Sequence, residues 1–163
     1  MQSGLIGATV LELGGNTSMV RSGEGTTPAA IEFKLGVESL VQQCLLHQPP
    51  LPIELEHAIE LTEDVVMPLA SQFASPLLVL QGMGGQVIAK AIQASGLGQT
   101  TLTLGCVESL FNRLVAVSEG LPAIHESLPT DKRLFASLLI LRELMHHLRF
   151  TQVTLQASRD GPS

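Results

Sequence analysis

Apolar positions along this chain repeat with two different periods, and the switches between them outline the elements. Leu5 to Leu13 holds Ile6, Thr9 and Val10 in a β-favouring run. Thr17 to Ser22 predicts a second strand. After a turn at Gly23-Glu24-Gly25, the stretch Ala29 to Lys34 sets Ala29, Ile31 and Phe33 against Ala30, Glu32 and Lys34. The first third therefore predicts a three-stranded meander.

The period then becomes helical. Gly36 to Leu46 predicts a helix, and Gln48-Pro49-Pro50-Leu51-Pro52 stops it. From Ile53 to Ser71, Leu55, Ile59, Thr62, Val66 and Leu69 share one face. Glu54 and Glu56 lie in the first turn, where the helix dipole favours anions, and Pro68 bends or ends the last one. Leu77 to Gln81 predicts a strand, and Gly85 to Ala94 a helix. A short extended piece from Thr100 to Leu104 leads into a helix over Val107 to Ser118. Gly120 to Pro129 reads as a loop. Thr130 or Asp131 caps a final helix striped by Leu134, Leu138, Leu141, Met145 and Leu148, before a closing strand from Gln152 to Ala157. The order β-β-β-α-β-α-β, with extra helices inserted, predicts an α/β fold with a mixed sheet flanked by helices. Parallel strands joined through helices predict that both sheet faces are covered. That order matches the ribonuclease-H-like core shared by actin, hexokinase and Hsp70-type ATPases.

Composition narrows the function classes. A chain of 163 residues fits a single domain over 1–163, and 45% hydrophobic with 15% charged residues excludes intrinsic disorder. Trp and Tyr are absent, so the core must be mainly aliphatic. Nine Lys and Arg residues are scattered through a chain of net charge −6, which leaves no basic stripe for nucleic acid. No apolar run reaches membrane-spanning length and no signal-type segment is present, so the expected location is cytoplasmic. Cys44 and Cys106 are far apart and both read as buried apolar thiols.

The candidate chemistry sits at two glycine turns. Glu12-Leu13-Gly14-Gly15-Asn16-Thr17-Ser18 breaks the first apolar run before Met19-Val20-Arg21 resumes it. Such a turn lets backbone N–H groups approach an anion, and it equally reads as an ordinary hairpin, because Gly-Asn favours positive φ. Gly82, Gly84, Gly85 and Gln86 follow the strand Leu77 to Gln81, and could bring a phosphate to a helix N-terminus or merely permit a tight turn. Glu12 is a candidate for holding a divalent cation or polarising water, with a solvated strand-end charge as its plain alternative. Thr100, Thr101 and Thr103 read as β-propensity residues. His146 and His147 point about a hundred degrees apart on a helix and cannot jointly chelate one metal efficiently. His47, His57 and His125 read as isolated surface residues.

These residues resemble the second half of the exopolyphosphatase and guanosine pentaphosphate phosphatase (Ppx/GppA) family of the actin-like superfamily. That family's hairpin D-I-G-G-G-S-T-E is matched in place by Glu12 to Met19. Phe33 to Leu40 resembles the segment after the family's third strand, and Gly82-Met83-Gly84-Gly85-Gln86 its G-x-G-G-T motif. Ala157 to Gly161 resembles its closing region. The departures are Glu12 for the leading Asp, Met19 for the acid ending the hairpin motif, and Gln86 for a hydroxyl residue.

The resemblance implies Mg²⁺ as cofactor and removal of a terminal phosphoryl group from polyphosphate or a guanosine polyphosphate. Glu12 would be the catalytic and metal-holding residue; Gly14, Gly15, Asn16, Thr17 and Ser18, with Gly82, Gly84, Gly85 and Gln86, would bind phosphate. It also implies an amino-terminal domain that carries the facing wall of the cleft, so the chain alone is expected to be nearly inactive. The alternative is a non-catalytic binding or oligomerisation module of the same fold, either self-associating or bound to a partner protein. A sugar or acetate kinase relative is a third reading.

Overall fold

The apolar alternation of the strands aligns across a six-stranded mixed sheet in the order β3-β2-β1-β4-β6-β5. The computed structural model describes residues 7–22, 30–70, 72–73, 76–96, 98–122 and 129–156. β1 (Thr9–Leu13), β2 (Ser18–Ser22) and β3 (Ala30–Phe33) form the antiparallel meander. β4 (Leu77–Gln81) runs parallel to β1, and β6 (Gln152–Leu155) parallel to β4. β5 (Thr101–Thr103) is a short antiparallel edge strand on β6. The ribonuclease-H-like core is thus β1 to β4 plus the late strand β6, with β5 added at the edge. The predicted extensions to Leu5, Ala29 and Ala157, the Gly23-Glu24-Gly25 turn, Ser71, His125 and the Ala157 to Gly161 segment lie outside the described residues.

Register divides the sheet into two unlike faces. Leu11, Leu13, Val20, Leu78, Leu80, Leu102, Val153 and Leu155 line up on one side and are all buried. On the other side stand Glu12, Met19, Arg21, Glu32, Gln81, Thr101, Thr103 and Thr154, exposed or partly exposed. The helices gather against the apolar side. α1 (Val37–Cys44), α2 (Pro52–Val66), α3 (Gly82–Ala94) and α4 (Leu104–Ser118) all pack on α5 (Lys132–Leu148). The expectation that both faces are covered is therefore met on one face only among the described residues. Most strand positions on the second face are polar or charged, while Val79 at its centre, flanked by Val10 and Thr154, is buried.

α5 is more than the predicted stripe. Twelve of its 17 residues are buried, because Phe135, Leu139, Ile140 and Leu144 fill the positions between the expected leucines. A helix apolar nearly all round belongs inside a layer of helices. Asp131 caps it, its carboxylate accepting from Arg133 N–H at 2.8 Å. α3 and α4 each begin three residues earlier than predicted. For α4 the reason is Thr103, whose hydroxyl accepts from Cys106 N–H and ends the strand while capping the helix. That placement exposes Cys106, contrary to the expectation of two buried thiols; Cys44 is buried as expected. No helix among the described residues is long and apolar enough to cross a membrane.

The loop between α1 and α2 is organised by one buried carboxylate. Glu54 accepts from the N–H groups of Leu46, His47 and Leu51 and lies 2.8 Å from His47 Nδ1. Burial alone would push this carboxyl up. The His47 imidazole and the N–H groups of Leu51 and His47 outweigh it and hold it below the usual glutamate range. A lowered folded pKa stabilises the fold above the ordinary value, 4.5, and that stabilisation disappears as pH falls through the folded value. Glu54→Gln should therefore lower stability at neutral pH and flatten the acid limb of a urea-denaturation pH series. An unchanged acid limb in the variant would show that Glu54 does not carry that dependence.

Candidate functional site

β1 and β4 end side by side, and the carboxyl ends of parallel strands are where α/β sheets place ligands. β1 runs into the four-residue turn Gly14–Thr17. None of these four has a left-handed φ, so the glycines are not there for the positive-φ hairpin geometry considered above. They are there for close approach. A Cβ on Gly14 would lie 2.3 Å from the Thr17 carbonyl oxygen.

The turn is clamped from below by α1. Gly14 C=O accepts from Val37 N–H at 2.9 Å, and Gly15 C=O accepts from Glu38 and Ser39 N–H at 2.8 and 3.0 Å. The unpaired donors of a helix N-terminus are thus satisfied by the turn. Gly36 makes this docking possible, since a Cβ there would sit 2.4 Å from the Gly15 carbonyl carbon and oxygen. A trans peptide points its N–H opposite its C=O. With the Gly14 and Gly15 carbonyls turned to α1, the N–H groups of Gly15 and Asn16 are directed away from it.

Ser18 completes the clamp. It is buried, its hydroxyl donates to Leu35 C=O at 2.7 Å, and its oxygen accepts from Gly14 N–H at 3.2 Å. Its hydroxyl is therefore engaged inside the protein, whereas Asn16 and Thr17 are exposed at the tip of the turn.

A cavity of about 410 Å³ lies along the turn, lined by Glu12, Gly14 to Met19 and Glu32. Glu12, Met19 and Glu32 stand in register on β1, β2 and β3, on the polar face of the sheet. Met19 thus separates two carboxylates. Glu32 was legible only as a polar position in an alternating strand; its place in the cavity depends on the β2–β3 register. No Lys or Arg lines this cavity. Glu12 and Glu32 lie two strands apart, about 9.5 Å across the sheet, and their carboxylates, like the oxygens of Asn16 and Thr17, are ligand types that a hard cation such as Mg²⁺ takes.

The second glycine cluster meets the first but does not line the cavity. Gly82, with φ of 86°, turns the chain from β4 into α3, and Gly84 and Gly85 are buried. A Cβ on Gly84 would lie 2.3 Å from Leu13 Cδ2, so this glycine lets α3 press against β1. Gln86 is exposed on α3. Met83 reaches the turn, its Cε about as close to Gly15 as packing allows, 3.3 Å from a Cβ placed there. Gln81 donates through Nε2 to Gln156 Oε1, tying the ends of β4 and β6 together.

The remaining candidates are placed elsewhere. Thr101 lies 3.3 Å from Thr154, hydroxyl to hydroxyl, across β5 and β6. His57 and His146 are exposed, while His47 is held by Glu54. His147 is different: its Nε2 lies 3.2 Å from Glu63 Oε2 on α2 and 3.4 Å from Glu143 Oε1 on α5. The His146–His147 pair carries no sign of that cross-helix partner, which comes from a residue 84 positions away.

No protein-family profile matches the chain, and no curated protein matches it in sequence. Solved structures do match in fold. The Aquifex aeolicus Ppx/GppA phosphatase (type II variant) superposes with a TM-score of 0.70 at 16% identity, over 90% of this chain and 52% of that one. An exopolyphosphatase from Cytophaga hutchinsonii gives 0.64 at 14% identity, over 90% and 52%. An exopolyphosphatase-like protein gives 0.63 at 12% identity, over 90% and 53%. The chain spans about half the length of these structures. Their shared α/β architecture is the fold expected from the strand and helix order.

The geometry assigns Ser18 a holding role with a measurable signature. Ser18→Ala leaves Gly14 N–H and Leu35 C=O without their buried partner and should cost about 1–3 kcal/mol of stability in urea denaturation. Thr17→Ala, at the exposed tip, should stay within about 0.5 kcal/mol of the parent. Equal effects from the two substitutions would contradict the assignment.

Proposed function

We propose that the chain, as one domain over 1–163, supplies one wall of the phosphate-binding cleft of a Ppx/GppA-type phosphatase. Such an enzyme would hydrolyse terminal phosphoanhydride bonds of polyphosphate or guanosine pentaphosphate. The observation that carries this reading is the clamped turn, whose carbonyls face α1 while the Gly15 and Asn16 N–H groups face outward. Fixed backbone donors need no reorganisation as charge develops on a phosphoryl oxygen, which is how such groups lower a barrier. The fold likeness to phosphatases, at TM-scores of 0.63 to 0.70, adds support.

Gly15, Asn16 and Thr17 would receive the phosphate, while Gly14, its N–H held by Ser18 and its C=O by Val37, would shape the turn. Ser18 would contribute by fixing the turn, and Gly82, Gly84 and Gly85 by seating α3 beside it. Glu12 would hold Mg²⁺ and orient water, and Glu32, two strands away across Met19, would add to the negative charge of the cavity. When bound, the ion supplies the positive charge that a phosphate beside two carboxylates requires. Because the facing wall of the cleft would come from a second domain, the chain alone should release little or no phosphate.

A second reading, a binding or assembly module, is favoured by the open sheet face, where Val10 and Met19 are only partly buried. Sedimentation of a monomer at high concentration would count against the self-associating form of that reading.

Amide NMR tests the first reading directly. Adding polyphosphate with Mg²⁺ should shift the Gly15 and Asn16 resonances, and Glu12→Gln should weaken the response roughly tenfold. No shift at these amides would remove the phosphate-wall assignment. Robust Mg²⁺-dependent phosphate release by the purified chain, abolished by Glu12→Ala, would refute its incompleteness.

A further inference from the structure

Away from the hairpin, α2 and α5 bring three metal-ligating side chains to one point. Glu63 on α2 faces Glu143 and His147 on α5, and one donor atom from each lies within 4.8 Å of the other two. Glu143 and His147 are four residues apart, so one helical face presents both. His147 Nε2 is the hub, 3.2 Å from Glu63 Oε2 and 3.4 Å from Glu143 Oε1.

The 3.2 Å contact has hydrogen-bond length, and both separations lie close to the donor spacing around a metal ion, with the third donor pair within 4.8 Å. Metal–nitrogen and metal–oxygen bonds of about 2.0–2.2 Å at tetrahedral angles place neighbouring donors about 3.3–3.5 Å apart. We propose that Glu63, Glu143 and His147 form a site for a divalent transition ion of the zinc type, with the fourth position open to water. This site shares no residue with the phosphate cavity, and the hard-cation donor set there is a different chemistry.

The surroundings fit an imidazole–carboxylate site. The Glu143 side chain is 5% exposed, and its Oε2 is already engaged by Arg142, which leaves Oε1 directed at His147. Two carboxylates this close repel, and a divalent ion between them relieves both the repulsion and the cost of burying Glu143. Glu63 and His147 are 37% and 21% exposed, so an ion and its water can enter from solvent. An imidazole ligand selects zinc, cobalt or nickel over magnesium. The bound ion would join α2 to α5, the helix on which the other helices pack.

Thermal unfolding of the whole chain with Zn²⁺ tests this. At free Zn²⁺ about a hundredfold above Kd, Tm should rise by about 5–10 °C, and any rise given by Mg²⁺ should be unaffected by Glu63→Gln or His147→Ala. Glu63→Gln and His147→Ala should each remove the Zn²⁺-dependent rise while unfolding cooperatively without metal; His146→Ala should keep it. Cobalt provides a readout independent of stability: one equivalent of Co²⁺ should give the intense visible absorption of a four-coordinate ion, lost in Glu63→Gln. A Tm indifferent to Zn²⁺, a rise retained in both ligand variants, or only the weak spectrum of hydrated Co²⁺ would overturn the proposal.

Discussion

The contact on which the candidate site depends is the docking of the α1 N-terminus onto the carbonyls of Gly14 and Gly15. It closes two accounts at once. The helix start needs acceptors for its unpaired N–H groups, and the turn needs donors for its carbonyls. Each supplies the other, so neither uses a charged side chain. Gly36 sets the distance, because any side chain there would meet the Gly15 backbone. Leu35, just before it, accepts a hydrogen bond from the Ser18 hydroxyl through its carbonyl and fixes the far side of the turn. Strand, turn and helix thus lock as one unit, and the direction of the outward amides follows from that lock.

Much of this architecture was legible in the sequence. Alternation in β1 to β3 and the helical stripes of α2 and α5 depend on which side chains must leave water, and period carries that information. Functional detail was legible only where it is local. Glu12 and the turn from Gly14 to Thr17 could be singled out because a strand broken by glycines is visible in a short window. Glu32 and the Glu63–His147 pairing could not, since they depend on strand register and on helix packing between distant segments.

The same limit explains the residues whose part in the structure differs from first appearance. Gly84 looks like phosphate-loop glycine, yet the space a side chain would need is occupied by Leu13. Ser18 looks like a phosphate hydroxyl, yet its proton is committed to Leu35. In both, composition identifies a position where a small or polar group is required, and only three-dimensional neighbours say whether a ligand or the protein itself imposes the requirement. α5 makes the point for the core: a stripe predicts one buried face, whereas four packing partners bury nearly the whole circumference.

The amides of Gly15 and Asn16, turned away from α1, would also separate the proposed recognition from titration. In a chain of net charge −6, they offer positive potential without a lysine, an arginine or a histidine. Backbone N–H groups neither gain nor lose a proton across the physiological range, and they carry no side-chain entropy to be frozen. Their own contribution to the potential at the turn therefore does not change with pH while the fold survives.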